Sequence, residues 1–320
     1  MTNEIAHDLS PFLRLYKDGR VERLKGTDVV PPSLDPKTGV ESKDVVISAE
    51  TGLSVRLYIP KTAINAPKKL PLLVYFHGGG FCIETAASPT YHNYLNPLVG
   101  QANIVAVSVD YRRAPEHPVP VAYDYSWEAL KWVSSHVQGQ GSSEWLNSHA
   151  DLENVFFSGD SAGANIANNM AIRVGLSEEK IGIKLRGIIL VHPYFWGKEL
   201  VGEEAHGPEV KAMIDNFWLL ACPSSTGGSD DPFINPEKDP NLGRLGCERV
   251  LVCIAEKDIF KERGRHYVEL VEKSGWGGTV ELMEAKGEDH VFHLFNHNCE
   301  NAIAMLNKIV SFIFFQQKNI

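Results

Sequence analysis

The chain has 320 residues, of which 43% are hydrophobic and 22% charged, and a net charge of −9. This balance excludes a disordered or fibrous chain, and the acidic excess disfavours a nucleic-acid backbone or an anionic membrane as main partner. The five cysteines, at positions 82, 222, 247, 253 and 299, form no Cys-x-x-Cys pair, so neither a zinc knuckle nor a disulfide framework is expected. Thiols in a reducing compartment are the simplest expectation. The opening "MTNEIAHDLSPF" has no apolar core of signal-peptide length, and no apolar run approaches the about 18 residues of a membrane span. The expected location is the cytoplasm.

In chain order, "DVVIS" and "LSVRLYIP" before residue 61 alternate in polarity and predict an antiparallel hairpin at a sheet's edge. The runs "LPLLVYF" (70–76), "NIVAVSV" (103–109), "NVFFSG" (154–159), "RGIILVHP" (186–193) and "RVLVCIA" (249–255) are apolar almost throughout. Strands without alternation are expected where helices cover both faces of a sheet. Helical patterns fall between them at 126–137, 161–175 and 263–275; in the second, Ile166, Met170 and Val174 share one face. Strands alternating with helices predict an α/β fold with a mostly parallel sheet, here one domain over residues 1–320. The stretch "PEHPVPVAYDYSW" (115–127) is expected to turn the chain and cap a helix through Asp124. Residues 195–240 are irregular apart from a helix near "EVKAMIDNFWLLA", and inserted material of this kind is expected to form a lid over a pocket. The aromatics Tyr194, Phe195, Trp196, Phe217 and Trp218 are expected in the core or that lid.

Two motifs carry chemistry. "GDSAG" (159–163) fits G-x-S-x-G, with an apolar strand before it and a small-residue helix after it. That context predicts a strained turn exposing the Ser161 hydroxyl, with Gly159 and Gly163 required where strand and helix pass closely. The alternative is an ordinary turn with Ser161 as helix cap. "HGGG" (77–80) follows an earlier strand directly; no Gly-Lys-Ser/Thr follows it, as a P-loop needs, and no third glycine stands where a dinucleotide loop requires one. Paired with the downstream serine it predicts an oxyanion loop, in which the N–H groups of Gly79 and Gly80 join that of Ala162 around a carbonyl oxygen gaining charge. The acid and base should follow in the order Ser, Asp, His. Asp258, after the strand at 249–255, is the expected acid, with Asp289 and Glu256 as competitors. His290, in a Gly- and acid-rich turn, is the expected base, and His293 is expected to pack on the following helix. A metal site at the two histidines has no third ligand cluster, so no metal or cofactor is expected.

Beyond single motifs, "FLRLYKDGRVERL", "HGGGF", "DYRRAPEHPVP", "GDSAGAN", "EKDIFKERG", "EKSGWGG" and "GEDHVFHLF" together resemble the plant carboxylesterases of the hormone-sensitive-lipase-like branch of the α/β-hydrolases. The resemblance spans nearly the whole chain. It implies an eight-stranded sheet and a small cap built from about residues 1–40 and from 195–240. It also implies Ser161 as nucleophile, Asp258 as acid and His290 as base, acting on small esters or hydroxylated plant metabolites as a monomer or homodimer. Related gibberellin receptors lack the catalytic histidine, whereas His290 is present here. Related 2-hydroxyisoflavanone dehydratases use the same scaffold for elimination, some with threonine at the Ser161 position. Tyr125 stands where relatives commonly have aspartate and Asn168 where they have histidine. Hydrolysis of small esters through an acyl-enzyme is the main expectation, and a dehydratase or cyclase using the same site is the alternative.

Overall fold

Neighbouring residues of the central strands leave the sheet in opposite directions, and both directions are buried. Leu72, Val74 and Phe76 pack on one face with Ile166 and Met170, while Leu73 and Tyr75 pack on the other with Leu95, Leu98, Met305 and Ile309. This is why the runs lack alternation: each side chain meets a covering helix whichever way it points. A computed structural model describes residues 4–66, 68–178, 181–204 and 207–314.

The chain runs β1 (Ile5–Leu9), β2 (Leu13–Tyr16), β3 (Val21–Arg23), β4 (Val40–Ser48), β5 (Leu53–Pro60), α1 (Lys61–Ile64), β6 (Leu70–Phe76), α2 (Pro89–Ala102) and β7 (Val105–Asp110). It continues through α3 (Val121–Ser134), α4 (Glu144–His149), β8 (Ala150–Asp160), α5 (Ala162–Leu176), β9 (Leu185–Val191) and α6 (Pro208–Ala221). The last elements are β10 (Arg249–Ala255), α7 (Lys261–Lys273), β11 (Thr279–Ala285) and α8 (Glu300–Phe314). The main sheet has eight strands in the order β11-β10-β9-β8-β6-β7-β5-β4. All pairs from β11 to β7 are parallel, and β5 and β4 add the antiparallel edge expected of the hairpin. The carboxyl ends of β6, β8, β10 and β11 therefore open on one side, where α/β folds place their sites.

Two local expectations need correction. The helix expected at 126–137 is α3, which starts earlier, with Pro120 at its cap position. Proline fixes φ and lacks an N–H, so it suits a helix start. Asp124 consequently lies inside the first turn and caps nothing; its Oδ1 accepts from Arg173 Nη1 of α5 at 2.9 Å. His293 does pack, but on a short 3-10 turn, Phe292–Leu294, well before α8 begins.

The three-stranded sheet β1-β2-β3 and α6 both reach over the open side of the main sheet. Arg23 fastens the N-terminal strap, donating to the carbonyls of Cys82 and Ala114 and pairing with Glu116. Arg263 of α7 fastens the 195–240 segment with a buried bidentate pair to Glu204 at 2.7 and 2.8 Å, and it also donates to the carbonyl of Glu199. Trp196 and Trp218 are buried there, donating to Asp215 and to the carbonyl of Gly228, as expected of lid or core aromatics.

Candidate active site

Ser161 stands between β8 and α5 with φ 51° and ψ −119°, the strained turn that its glycine neighbours predict. A Cβ on Gly159 would collide with the backbone of Gly163, and one on Gly163 with the carbonyl of Phe76 on β6, so the close passage of strand and helix demands glycine at both. The Ser161 amide donates to the Val191 carbonyl at 2.9 Å, and its carbonyl accepts from the Tyr194 N–H at 3.0 Å. The turn is thereby tied to the end of β9 and to the loop that follows it.

Asp258 and His290 come to this serine from the loops after β10 and β11. His290 Nε2 lies 3.0 Å from Ser161 Oγ, and His290 Nδ1 lies 2.8 Å from Asp258 Oδ2. The other Asp258 oxygen accepts the Phe260 N–H at 2.9 Å, which fixes the carboxylate plane. Burial disfavours charge on Asp258, but the adjoining His290 imidazole outweighs it and holds the carboxyl below its ordinary range. Burial likewise opposes a charged His290, yet the Asp258 carboxylate prevails and raises it above an ordinary histidine. The competing acids face elsewhere: Asp289 accepts its neighbour's N–H at 2.7 Å, and Glu256 accepts from the Gly287 N–H at 2.6 Å. His293 is buried against Tyr94, and burial pushes it down to about 3, so it stays a neutral packing group.

The glycine loop is held by groups that its motif does not name. Gly78 N–H donates to Tyr91 Oη at 2.7 Å, and that hydroxyl donates to Asp160 Oδ2 at 3.1 Å. Tyr75 donates to Asp160 Oδ1 at 2.7 Å, and Tyr111 donates to the His77 carbonyl at 2.7 Å. Asp160 is fully buried, and burial pushes its carboxyl up to about 6 despite both hydroxyls. With the Gly78 N–H taken, the amides of Gly79 and Gly80 are the members of the run beside the cavity that holds Ser161. Both have positive φ, 94° and 59°. The loop's bareness also serves the protein itself. A Cβ on Gly78 would collide with Asp160, one on Gly79 with the Ile83 carbonyl, and one on Gly80 with the Phe217 ring.

A cavity of about 650 Å³ opens over Ser161 and His290. Its walls are mainly apolar: Phe12 and Leu24 from the N-terminal strap, Met213, Ile214 and Phe217 from α6, and Ile259, Phe260 and Leu294 from the core loops. Glu84, Asp28 and Lys25 add charge to its lining. Both segments expected to build a cap thus wall the same cavity. Tyr125 lies outside it, accepting from Arg112 at 3.0 Å, and Asn168 accepts the Tyr267 hydroxyl at 2.7 Å, so neither departure enters the site.

Among the described residues, the acid and imidazole groups close enough to hold a metal are His192, Asp258 and His290. Asp258 and His290 bond to each other, and His192 Nδ1 accepts the Val291 N–H at 2.8 Å. Sequence reasoning missed Asp160, Tyr91 and His192. Asp160 had a signal, being an acid at the buried end of a strand whose second half is mainly apolar; Tyr91 and His192 had none, because their partners are 13 and 99 residues away.

A serine presented on a strand–helix turn beneath a glycine loop, with imidazole and carboxylate from the last two parallel strands, defines the α/β-hydrolase class. A family model described as alpha/beta hydrolase fold matches residues 73–294, and one described as Carboxylesterase family matches residues 24–115. The chain is 52% identical to the Arabidopsis thaliana protein "Probable carboxylesterase 13", over 98% of this chain and 99% of that one. It is 44% identical to a 2-hydroxyisoflavanone dehydratase of Glycyrrhiza echinata, over 98% and 97% of the two chains. Among solved structures, an esterase of Pyrobaculum calidifontis superposes with a TM-score of 0.70 at 26% identity, covering 85% of this chain and 84% of that one. The chain belongs to the plant carboxylesterase family of α/β-hydrolases.

Proposed function

We propose that the protein is a serine carboxylesterase that hydrolyses small carboxylic esters through an acyl-enzyme on Ser161. The observation that carries this is the unbroken hydrogen-bonded chain Asp258–His290–Ser161 at the base of an apolar cavity. His290, oriented by Asp258, takes the hydroxyl proton as Ser161 Oγ attacks the ester carbonyl. The carbonyl oxygen gains negative charge and is met by the N–H groups of Gly79, Gly80 and Ala162, the last at the first position of α5, where the helix dipole also favours an anion. His290 then hands the proton to the departing alcohol. Water, activated by the same imidazole, attacks the acyl group and releases the acid.

The cavity's volume and apolar lining favour short acyl chains on aryl or other apolar alcohols, including metabolites of specialised metabolism. All five cysteines are free thiols, four of them buried, which supports a cytoplasmic setting that imaging of a fluorescent fusion tests. Among the described residues no helix is long and apolar enough to cross a membrane.

A second reading is elimination of water from a hydroxylated substrate, and the relative named as a dehydratase favours it. There His290 would move a proton next to a carbonyl held by the same amides. The two are separated by incubating the purified protein with p-nitrophenyl acetate and with a hydroxylated flavanone. The esterase reading expects turnover of the ester and labelling of Ser161 by an organophosphonate, both abolished in Ser161→Ala. Flavanone turnover that survives Ser161→Ala, with no ester turnover by the wild type, would establish the lyase instead.

A further inference from the structure

We propose that His192 is a positioning residue, holding the His290 imidazole in register through a hydrogen bond to the next peptide group. His192 leaves β9 immediately after Val191, and its own N–H donates to the Cys253 carbonyl at 2.8 Å, so its backbone is fixed to β10. Its ring is buried, and Nδ1 accepts the Val291 N–H at 2.8 Å. Val291 has φ 49° and His192 has φ 47°. A β-branched residue in the left-handed region is a genuine outlier that persists only where its surroundings over-determine it. The bond from His192 is the polar tether on that peptide, and the peptide is the one that aims His290.

His290 is consequently held at its ring by Asp258, at its own N–H by Asp289, and at the peptide following it by His192. The bond also dictates the His192 tautomer, since an Nδ1 that accepts must leave the ring proton on Nε2. The titratable groups facing the His192 ring are Asp258, His290 and His293, with imidazole centroids at 5.9 Å for His290 and 5.6 Å for His293. Burial and the two imidazoles keep His192 neutral over the Asp258 carboxylate's opposing pull, so the acceptor persists across the working pH range. The HPYF segment that follows β9 thus contributes to the site, although neither motif of the sequence includes it.

This inference rests on the acyl-transfer reading above, and the test separates the two. Asparagine places its carbonyl oxygen where imidazole Nδ1 stood; glutamine places its own farther out, near Nε2; leucine offers no acceptor. With p-nitrophenyl acetate, His192→Asn should keep kcat within about 5-fold of the wild type. His192→Gln and His192→Leu should lower kcat about 30- to 100-fold, with KM changed by less than about 3-fold, the scale of a misplaced catalytic group. In those two variants the acid limb of the kcat/KM profile should move to lower pH, because a loosened His290 loses part of the Asp258 support that raises it. Equal kcat values for the Asn and Gln variants would overturn the inference, as would an Asn variant that fails to fold. If the Leu variant alone fails to fold, the Asn–Gln comparison still decides. An absence of turnover in the wild type would remove the reading and the inference together, a result distinct from the variant pattern.

Discussion

Replacing Tyr91 by phenylalanine removes one oxygen and breaks two bonds of the scaffold under the glycine loop. The Gly78 N–H loses its acceptor at 2.7 Å, and Asp160 loses the donor at 3.1 Å, leaving Tyr75 as its remaining hydroxyl partner. An orphaned buried amide costs about 1–3 kcal/mol, and a lost hydrogen bond to a buried carboxylate about 1.5–3 kcal/mol more, so with Asp160 ionised the variant should be less stable by about 2.5–6 kcal/mol. The deficit should depend on pH in a defined direction. Asp160 already has its folded-state carboxyl raised to about 6, so its burial is tolerated at low pH and becomes costly as pH rises through that value. Removing a hydroxyl that favours the carboxylate raises it further. The deficit should therefore be smallest near pH 4–5 and largest above about pH 7. Activity should fall as well, because the loop bearing the Gly79 and Gly80 amides loses its anchor. Removal of one oxyanion donor costs about 10²–10³-fold, and a displaced loop should lower kcat by about 10- to 100-fold with a smaller change in KM. Urea unfolding at pH 5 and pH 8, with p-nitrophenyl acetate kinetics, measures both. A Tyr91→Phe variant within about 0.5 kcal/mol and twofold in kcat of the wild type would refute the role given to this hydroxyl.

Other consequences follow from the same geometry. The kcat/KM profile should show an acid limb above the ordinary histidine range, since activity needs neutral His290 and the Asp258 carboxylate raises it; a limb at or below that range contradicts the pairing. Ser161→Ala and His290→Ala should each lower kcat by several orders of magnitude and the double variant little further, because the groups act as a unit; additive losses would show that they do not. Arg263→Ala leaves Glu204 buried without its partner and should destabilise the protein by about 3–5 kcal/mol in urea unfolding, whereas a loss below about 1 kcal/mol would mean that the pair does not hold the 195–240 segment.

The parts of the fold that were legible are those whose signal is local. Apolar runs with both faces covered stand out from their surroundings, and the strand–Gly–x–Ser–x–Gly–helix order carries its own geometry. The Asp258 position could be read because it lies just past such a strand, and His290 because it sits in a Gly- and acid-rich turn. Elements built on weaker local signals escaped: β3 is only three residues long, and α2 carries Pro97 in its interior, which breaks the pattern that a helix usually shows. Asp124 was misread because an acid near a helix start has two uses, and the partner that decides between them, Arg173, is 49 residues away. The supports of the site, Tyr91 beneath the glycine loop and His192 behind His290, depend on contacts between distant segments. Nothing in their own neighbourhoods marks them.

The central claim is that Ser161 becomes acylated, and it is tested most directly by quenching the reaction with p-nitrophenyl acetate in acid within milliseconds and weighing the Ser161 peptide. Acylation of Ser161 should give a burst of p-nitrophenolate close to one equivalent per chain, with a matching acetyl adduct on Ser161 that decays at the steady-state rate. Turnover without any adduct on that peptide, or an adduct on another residue, would contradict it.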